Sequence, residues 1–81
     1  MLYLVDKPMA EVAFRTIDGD DDARVVLIQD GVLLEPDVGA PTYAVARDVE
    51  VRGVELSLGI EPITYDTLIE LVVEHETRTF A

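Results

Sequence analysis

The sequence predicts one α/β domain over residues 1–81, built on a mostly parallel sheet with helices on both faces. Two observations carry that reading. The strand-like runs "LYLV" (residues 2–5), "VVLI" (25–28) and "TYAVA" (42–46) are apolar at successive positions, as strands buried on both faces are. They alternate with segments whose apolar residues recur at three and four positions, which is helical spacing. That alternation is the pattern of right-handed β-α-β crossovers, and the fold it implies is a small flavodoxin-like α/β sandwich.

Residues 2–5 make the first strand, ended by Asp6, Lys7 and Pro8. A helix starts near Pro8, since proline is tolerated where the first helical amides lack partners, and it sets Met9, Val12, Ala13 and Ile17 on one side. The run "DGDDD" (18–22) is an exposed turn. It lacks the length and final glutamate of a calcium-binding loop, so no metal site is expected there.

The second strand covers Arg24–Gln29, followed by a helical turn and a proline-broken loop through "VLLEPDVGAP". Residues 42–46 form the third strand. The segment "RDVEVRGV" then makes a short helix, with Asp48 one turn before Arg52 and Gly53 placed as a left-handed cap. Ile60–Ile63 supply a fourth strand, confined to a sheet edge by Pro62. The last helix is capped by Thr64. Tyr65, Leu68, Ile69, Val72 and Val73 form its apolar side, and Asp66, Glu70 and Glu74 form an acidic ridge. The segment "TRTFA" is expected to add a strand whose Phe80 packs on the sheet or on a partner.

Seventeen acids stand against six bases, only one of them lysine, for a net charge of −11. A body so negative repels phosphate backbones, so direct nucleic-acid binding is not expected. The acids read first as a solvated surface suited to a salt-rich cytosol. Stability should therefore rise with salt as self-repulsion is screened. A melting temperature that stays flat or falls across a salt series would show the acids to be locally paired instead. No segment approaches membrane-spanning length and no secretory leader pattern opens the chain, so a cytoplasmic protein is expected. Cysteine is absent, which removes disulfides, thiolate nucleophiles and Cys-based zinc sites.

Ligand sites in parallel sheets gather at the carboxyl ends of the strands. Here that edge is expected to hold Lys7, Gln29, Asp30, Arg47 and Asp48, although Asp30 and Asp48 are equally explained as helix caps. One glycine in "QDGV" does not make a phosphate-binding loop, and no cofactor is expected. His75, the single histidine, falls at a helix end where the dipole favours a cation. No serine or cysteine is placed beside it, so no catalytic residue is assigned. A domain this small and this apolar is expected to share a surface with another subunit, and Val32, Leu33, Leu34, Tyr65 and Phe80 are the candidate interface.

Read in order, "MLYLVDKP", "VVLIQDGV", "TYAVARDVEVRGV" and "ITYDTLIELVVEH" resemble the successive blocks of the DsrH/TusB family of sulfur-relay subunits. The resemblance covers nearly the whole chain, with shortened loops. It implies a non-catalytic subunit of a DsrEFH/TusBCD-type complex, partnered by DsrE/TusD-like and DsrF/TusC-like chains. Such a complex passes persulfide sulfur towards the tRNA wobble uridine, or, in the Dsr branch, serves sulfur oxidation. Some family members carry a cysteine near the first helix. "PMAEVAFRTI" has none, so the implied role is support of a thiol-bearing sister chain. The rival expectation is a homo-oligomeric ligand-binding or enzymatic domain that uses the strand edge.

Overall fold

A computed structural model describes residues 1–81. Five strands, β1 (Leu2–Val5), β2 (Arg24–Leu27), β3 (Thr42–Val45), β4 (Ile60–Ile63) and β5 (Thr77–Phe80), form one sheet in the order β4-β3-β2-β1-β5. All four pairings are parallel, so the expected mostly parallel sheet is wholly so. The helices are α1 (Ala10–Asp18), α2 (Ala46–Arg52) and α3 (Tyr65–Glu74), with single 3₁₀ turns at Lys7–Met9 and Gln29–Leu33.

This order fixes which face each helix covers. The connections from β1 to β2, β2 to β3 and β3 to β4 all step the same way across the sheet, and right-handed crossovers then put them on one face. Only α3, which returns from β4 to β5 at the far edge, lies on the other. The core divides accordingly. Tyr3, Val5, Val25, Leu27 and Ala44 meet Ala10, Ala13 and Ile17 of α1 on the first face. Leu2, Val26, Val45 and Ile63 meet Leu68 of α3 on the second. One helix cannot cover a five-stranded face, and Leu4, Ile28 and Tyr43 there are only half buried.

The structure alters several expected boundaries and faces. β2 ends at Leu27 and β3 at Val45, each shorter than its apolar run, because the chain turns into the 3₁₀ segment and into α2. In α1 the buried residues are Ala10, Ala13 and Ile17, whereas Met9 and Val12 are exposed. The 3₁₀ turn at Lys7–Met9 shifts the helical phase, so Met9 is the residue before α1 and not part of its buried stripe. Thr64 caps α3 as expected, accepting from the Thr67 N–H at 3.2 Å. Gly53 adopts φ 62°, the left-handed cap.

A side-chain hydrogen bond ties the turn after α1 to the sheet, the Tyr3 hydroxyl donating to Asp20 Oδ2 at 2.8 Å, and the Met1 amino group donates to Asp22 O at 3.3 Å beside it. Burial, and then the Asp20 carboxylate, push the Tyr3 phenol above its ordinary value. The Tyr3 hydroxyl, and then the Asp22 N–H, hold the Asp20 carboxyl below the usual carboxylate range. A depressed acid contributes stability above its unfolded value and loses it as pH falls through the folded one. A raised phenol contributes below its unfolded value and loses it as pH rises. Tyr3→Phe should therefore lower the melting temperature most near neutral pH, with the gap to wild type closing on acidification below the usual carboxylate range. A gap independent of pH would show that the contribution does not depend on the Asp20 charge, and no gap would show that the bond contributes nothing.

Candidate functional site at the carboxyl edge of the sheet

At the carboxyl edge the chain leaves β2 through Gln29, the one non-glycine residue with positive φ (49°). Such backbone disfavours a residue with a side chain, and it holds here because neighbours fix it. The Gln29 N–H donates to Asp48 Oδ2 at 2.8 Å. Asp48 lies in the first turn of α2, so this bond pins the exit of β2 to the exit of β3. The next turn then presses back on β1. Gly31 N–H donates to Ile28 O at 2.7 Å, and Ile28 N–H donates to Val5 O at 3.0 Å. Gly31 approaches so closely that a Cβ on it would stand 2.1 Å from Val5 O.

Arg52, at the end of α2, completes the arrangement. Its Nε donates to Asp30 Oδ1 at 2.8 Å, and a terminal nitrogen lies 3.6 Å from Asp48 Oδ1. The Asp30 hydrogen bond, with the charges of Asp30, Asp48 and Asp6, holds the guanidinium above its ordinary value. Asp6 is buried at the end of β1, and its carboxylate accepts from the Lys7 N–H at 2.7 Å. The result is one cation among three carboxylates. Its hydrogen bonds join the 29–33 turn to α2, and no buried side-chain polar atom lacks a partner. Chemically the arrangement clamps the edge. Asp48→Ala, which leaves the left-handed Gln29 N–H without its partner, should cost about 1–2 kcal/mol. Urea unfolding checks this, and a change under about 0.5 kcal/mol would reduce the clamp to a surface contact.

Of the five expected edge residues, the structure brings Gln29, Asp30 and Asp48 together. Lys7 and Arg47 do not join them. Both are exposed, and Arg47 lies on the outer side of α2 near Glu50 and Val51. Asp30 and Asp48 do not cap helices either: the residues at the cap positions are Ile28 and Val45, and the two carboxylates accept from other segments. The residue missing from the expected set is Arg52. Its spacing from Asp48 was visible, but that spacing reads as a helix-surface pair and gives no hint of Asp30 across the gap. A concavity of about 170 Å³ lies at the opposite, amino edge of the strands, between Asp18, Asp20, Asp21 and Val38–Ala40.

The candidate interface residues separate into two groups. Val32 and Phe80 belong to the chain's own core, Phe80 with its ring centroid 6.1 Å from that of Tyr3, and so are not free for a partner. Leu34 is half buried against that core. Leu33 and Tyr65 are exposed. Tyr65 is one of a set: Ile69 (60% exposed), Val72 (39%) and Val73 (80%) share its side of α3. At about 100° per residue, this stripe lies roughly a third of a turn from the buried Leu68–Leu71 side and as far again from the Asp66, Glu70, Glu74 ridge. Expecting one apolar side missed that division, because helical spacing marks apolar residues without saying which of them the sheet reaches. His75 ends α3 half buried, its N–H donating to Leu71 O at 3.1 Å.

No protein-family model matches the chain, and no curated protein matches it in sequence. Among solved structures it is similar to the crystal structure of the E. coli ychN protein, with a TM-score of 0.68 over 98% of this chain and 97% of that one. The two are 17% identical, so the likeness is one of fold. No helix of the chain is long and apolar enough to cross a membrane.

Proposed function

We propose that the chain is a thiol-free, non-catalytic subunit of a cytosolic sulfur-relay assembly of the DsrEFH/TusBCD type. It supports sister chains that carry the persulfide cysteine, with 2-thiouridine at the tRNA wobble position as the end product. The observation that carries the reading is the uncovered stripe of Tyr65, Ile69, Val72 and Val73 on a domain without cysteine. The order of the sequence blocks and the fold shared with ychN support it.

The chemistry limits the role to support. Persulfide transfer needs a thiolate that attacks the outer sulfur of a donor persulfide, so that one S–S bond breaks and another forms. This chain has no thiol to make that attack. What it offers a neighbour is apolar surface that a sister chain can bury, fixing the position of that chain's cysteine.

The test is co-expression with DsrE-type and DsrF-type sister chains that carry cysteines. The complex should purify intact, and adding this chain should raise the sister chains' persulfide transfer rate. His75→Ala should leave that rate nearly unchanged, whereas loss of a general base would lower it roughly a hundredfold or more. An isolated chain that turned over a substrate and lost the activity with His75 would overturn the proposal in favour of an enzyme.

A further inference from the structure

The two edges of the sheet are not equivalent. In a parallel ladder, alternate residues of an edge strand turn their backbone groups inward to the neighbouring strand, and the residues between them turn theirs outward. The registers fix which are which. On β4, Val25 N–H donates to Pro41 O, so residues 41 and 43 bond β2, leaving Thr42 and Ala44 to bond β4. That directs Ile60 and Pro62 outward. Pro62 has no N–H, and the Ile60 N–H is taken by Ser57 O at 3.2 Å. The β4 edge therefore offers an arriving strand no donor.

The β5 edge does. Leu2 N–H donates to Glu76 O at 2.7 Å and Asp6 N–H to Phe80 O at 2.8 Å, which assigns Glu76, Arg78 and Phe80 to β1. Thr77 and Thr79 then present both N–H and C=O to the outside, along an edge that no other strand pairs with. His75 is already extended (φ −128°, ψ 150°), which lengthens the usable edge. An open edge of this kind is a template for another strand.

We propose that this edge is filled by β5 of a second copy, antiparallel about a two-fold axis at Thr77, making one continuous sheet across the pair. The charges select both occupant and register. Outward-facing residues must pair with each other, so Thr77 can stand opposite Thr77 or Thr79 of the other copy, among other settings. Centring on Arg78 would set two guanidinium groups face to face. Centring on Thr77 sets Glu76 opposite Arg78 twice, once on each side of the axis, in the close non-hydrogen-bonded positions. Arg78 is already held on that face, its guanidinium carbon 5.6 Å from the Phe80 ring centroid. From residue 53 to residue 77 the chain has six acids and no lysine or arginine, so Arg78 is the base that answers Glu76. The axis pairs Thr77 with Thr77, a favourable cross-strand neighbour. About four backbone bonds form, two between the Thr77 residues and one from each Thr79 N–H to the second lone pair of the facing His75 C=O, whose first accepts from the Thr77 hydroxyl of its own chain at 3.2 Å.

Two bodies of charge −11 repel at low ionic strength, and the seam holds only once that long-range field is screened to about 10 Å near 0.1 M salt. The contact stands apart from the relay reading, because it uses the sheet edge and not the α3 stripe. Sedimentation of the full chain at about 0.2–0.5 M salt, across micromolar to millimolar concentrations, tests it. The expected result is a species of twice 8.9 kDa. Arg78→Glu, which sets acids opposite acids, should return it to a monomer, and the swap Glu76→Arg with Arg78→Glu should restore the dimer. Thr77→Pro removes an outward N–H without touching the bonds to β1, and should also give a monomer. Ile69→Asp should leave the dimer intact. A wild-type chain that remains monomeric throughout, a dimer that survives both Arg78→Glu and Thr77→Pro, or one that Ile69→Asp dissolves would overturn the assignment.

Discussion

Gly31→Ala is expected to destabilise the domain by about 3–4 kcal/mol, out of a total that for a chain of this size is roughly 4–12 kcal/mol. The added Cβ would stand 2.1 Å from Val5 O, inside any real contact distance, and what it meets is backbone in the middle of the core. Val5 cannot retreat. It is fully buried in β1 and its carbonyl accepts from the Ile28 N–H. The turn at 29–33 must move instead, which strains the Asp48 bond to Gln29 and the Arg52 bond to Asp30 together. Thermal unfolding followed by circular dichroism should show a fall of roughly 15–20 °C. A fall under about 3 °C would mean that the turn rides freely on β1 and that the clamp does not depend on the close approach.

Ile69→Asp should leave the isolated chain folded and weaken its assembly with cysteine-bearing sister chains about a hundredfold or more. Ile69 is exposed in the chain itself, so a charge there costs its own fold at most about 0.5 kcal/mol. In a closed interface the same carboxylate would be buried without a partner among Tyr65, Val72 and Val73. The paired measurements are a melting curve of the variant and a titration of the sister chains. Loss of binding with an unchanged melting curve supports the stripe as the contact. Full binding would remove α3 from the interface and leave Leu33 as the exposed apolar candidate.

Much of this architecture could be read along the chain, for physical reasons that also mark where such reading stops. The apolar runs at 2–5 and 25–28 are legible as strands because a parallel sheet covered on both faces demands apolar residues at successive positions. Pro62 announced an edge strand, and Thr64 and Gly53 announced helix ends, because each acts through its own backbone. Failures arose wherever a residue's role depends on something distant. Val32 belongs to an apolar segment just outside the strand that is too short to bury all of Val32, Leu33 and Leu34, and it is Val32 that the turn pressed against β1 by Gly31 carries into the core. Lys7 and Arg47 come two residues after their strands, a place that points to the edge, but both are exposed and stand apart from the cluster. Arg52 lies six residues after the first residue of its helix and still reaches the exit of β2, a contact set by the crossing of α2 over the sheet.

The position of β5 bears on how the chain acquires its shape. β1 is an interior strand, but one of its two partners is drawn from residues 77–80, almost the whole chain away. During synthesis the stretch Leu2–Val5 can pair with β2 soon after the first crossover, while its other side waits for nearly everything else to emerge. Non-local pairings of this kind slow folding, and the waiting edge of a nascent chain is open to wrong partners. An intermediate lacking Thr77–Phe80 would leave one hydrogen-bonding edge of β1 open along its full length, so β5 acts as the lock on a sheet that is otherwise already assembled.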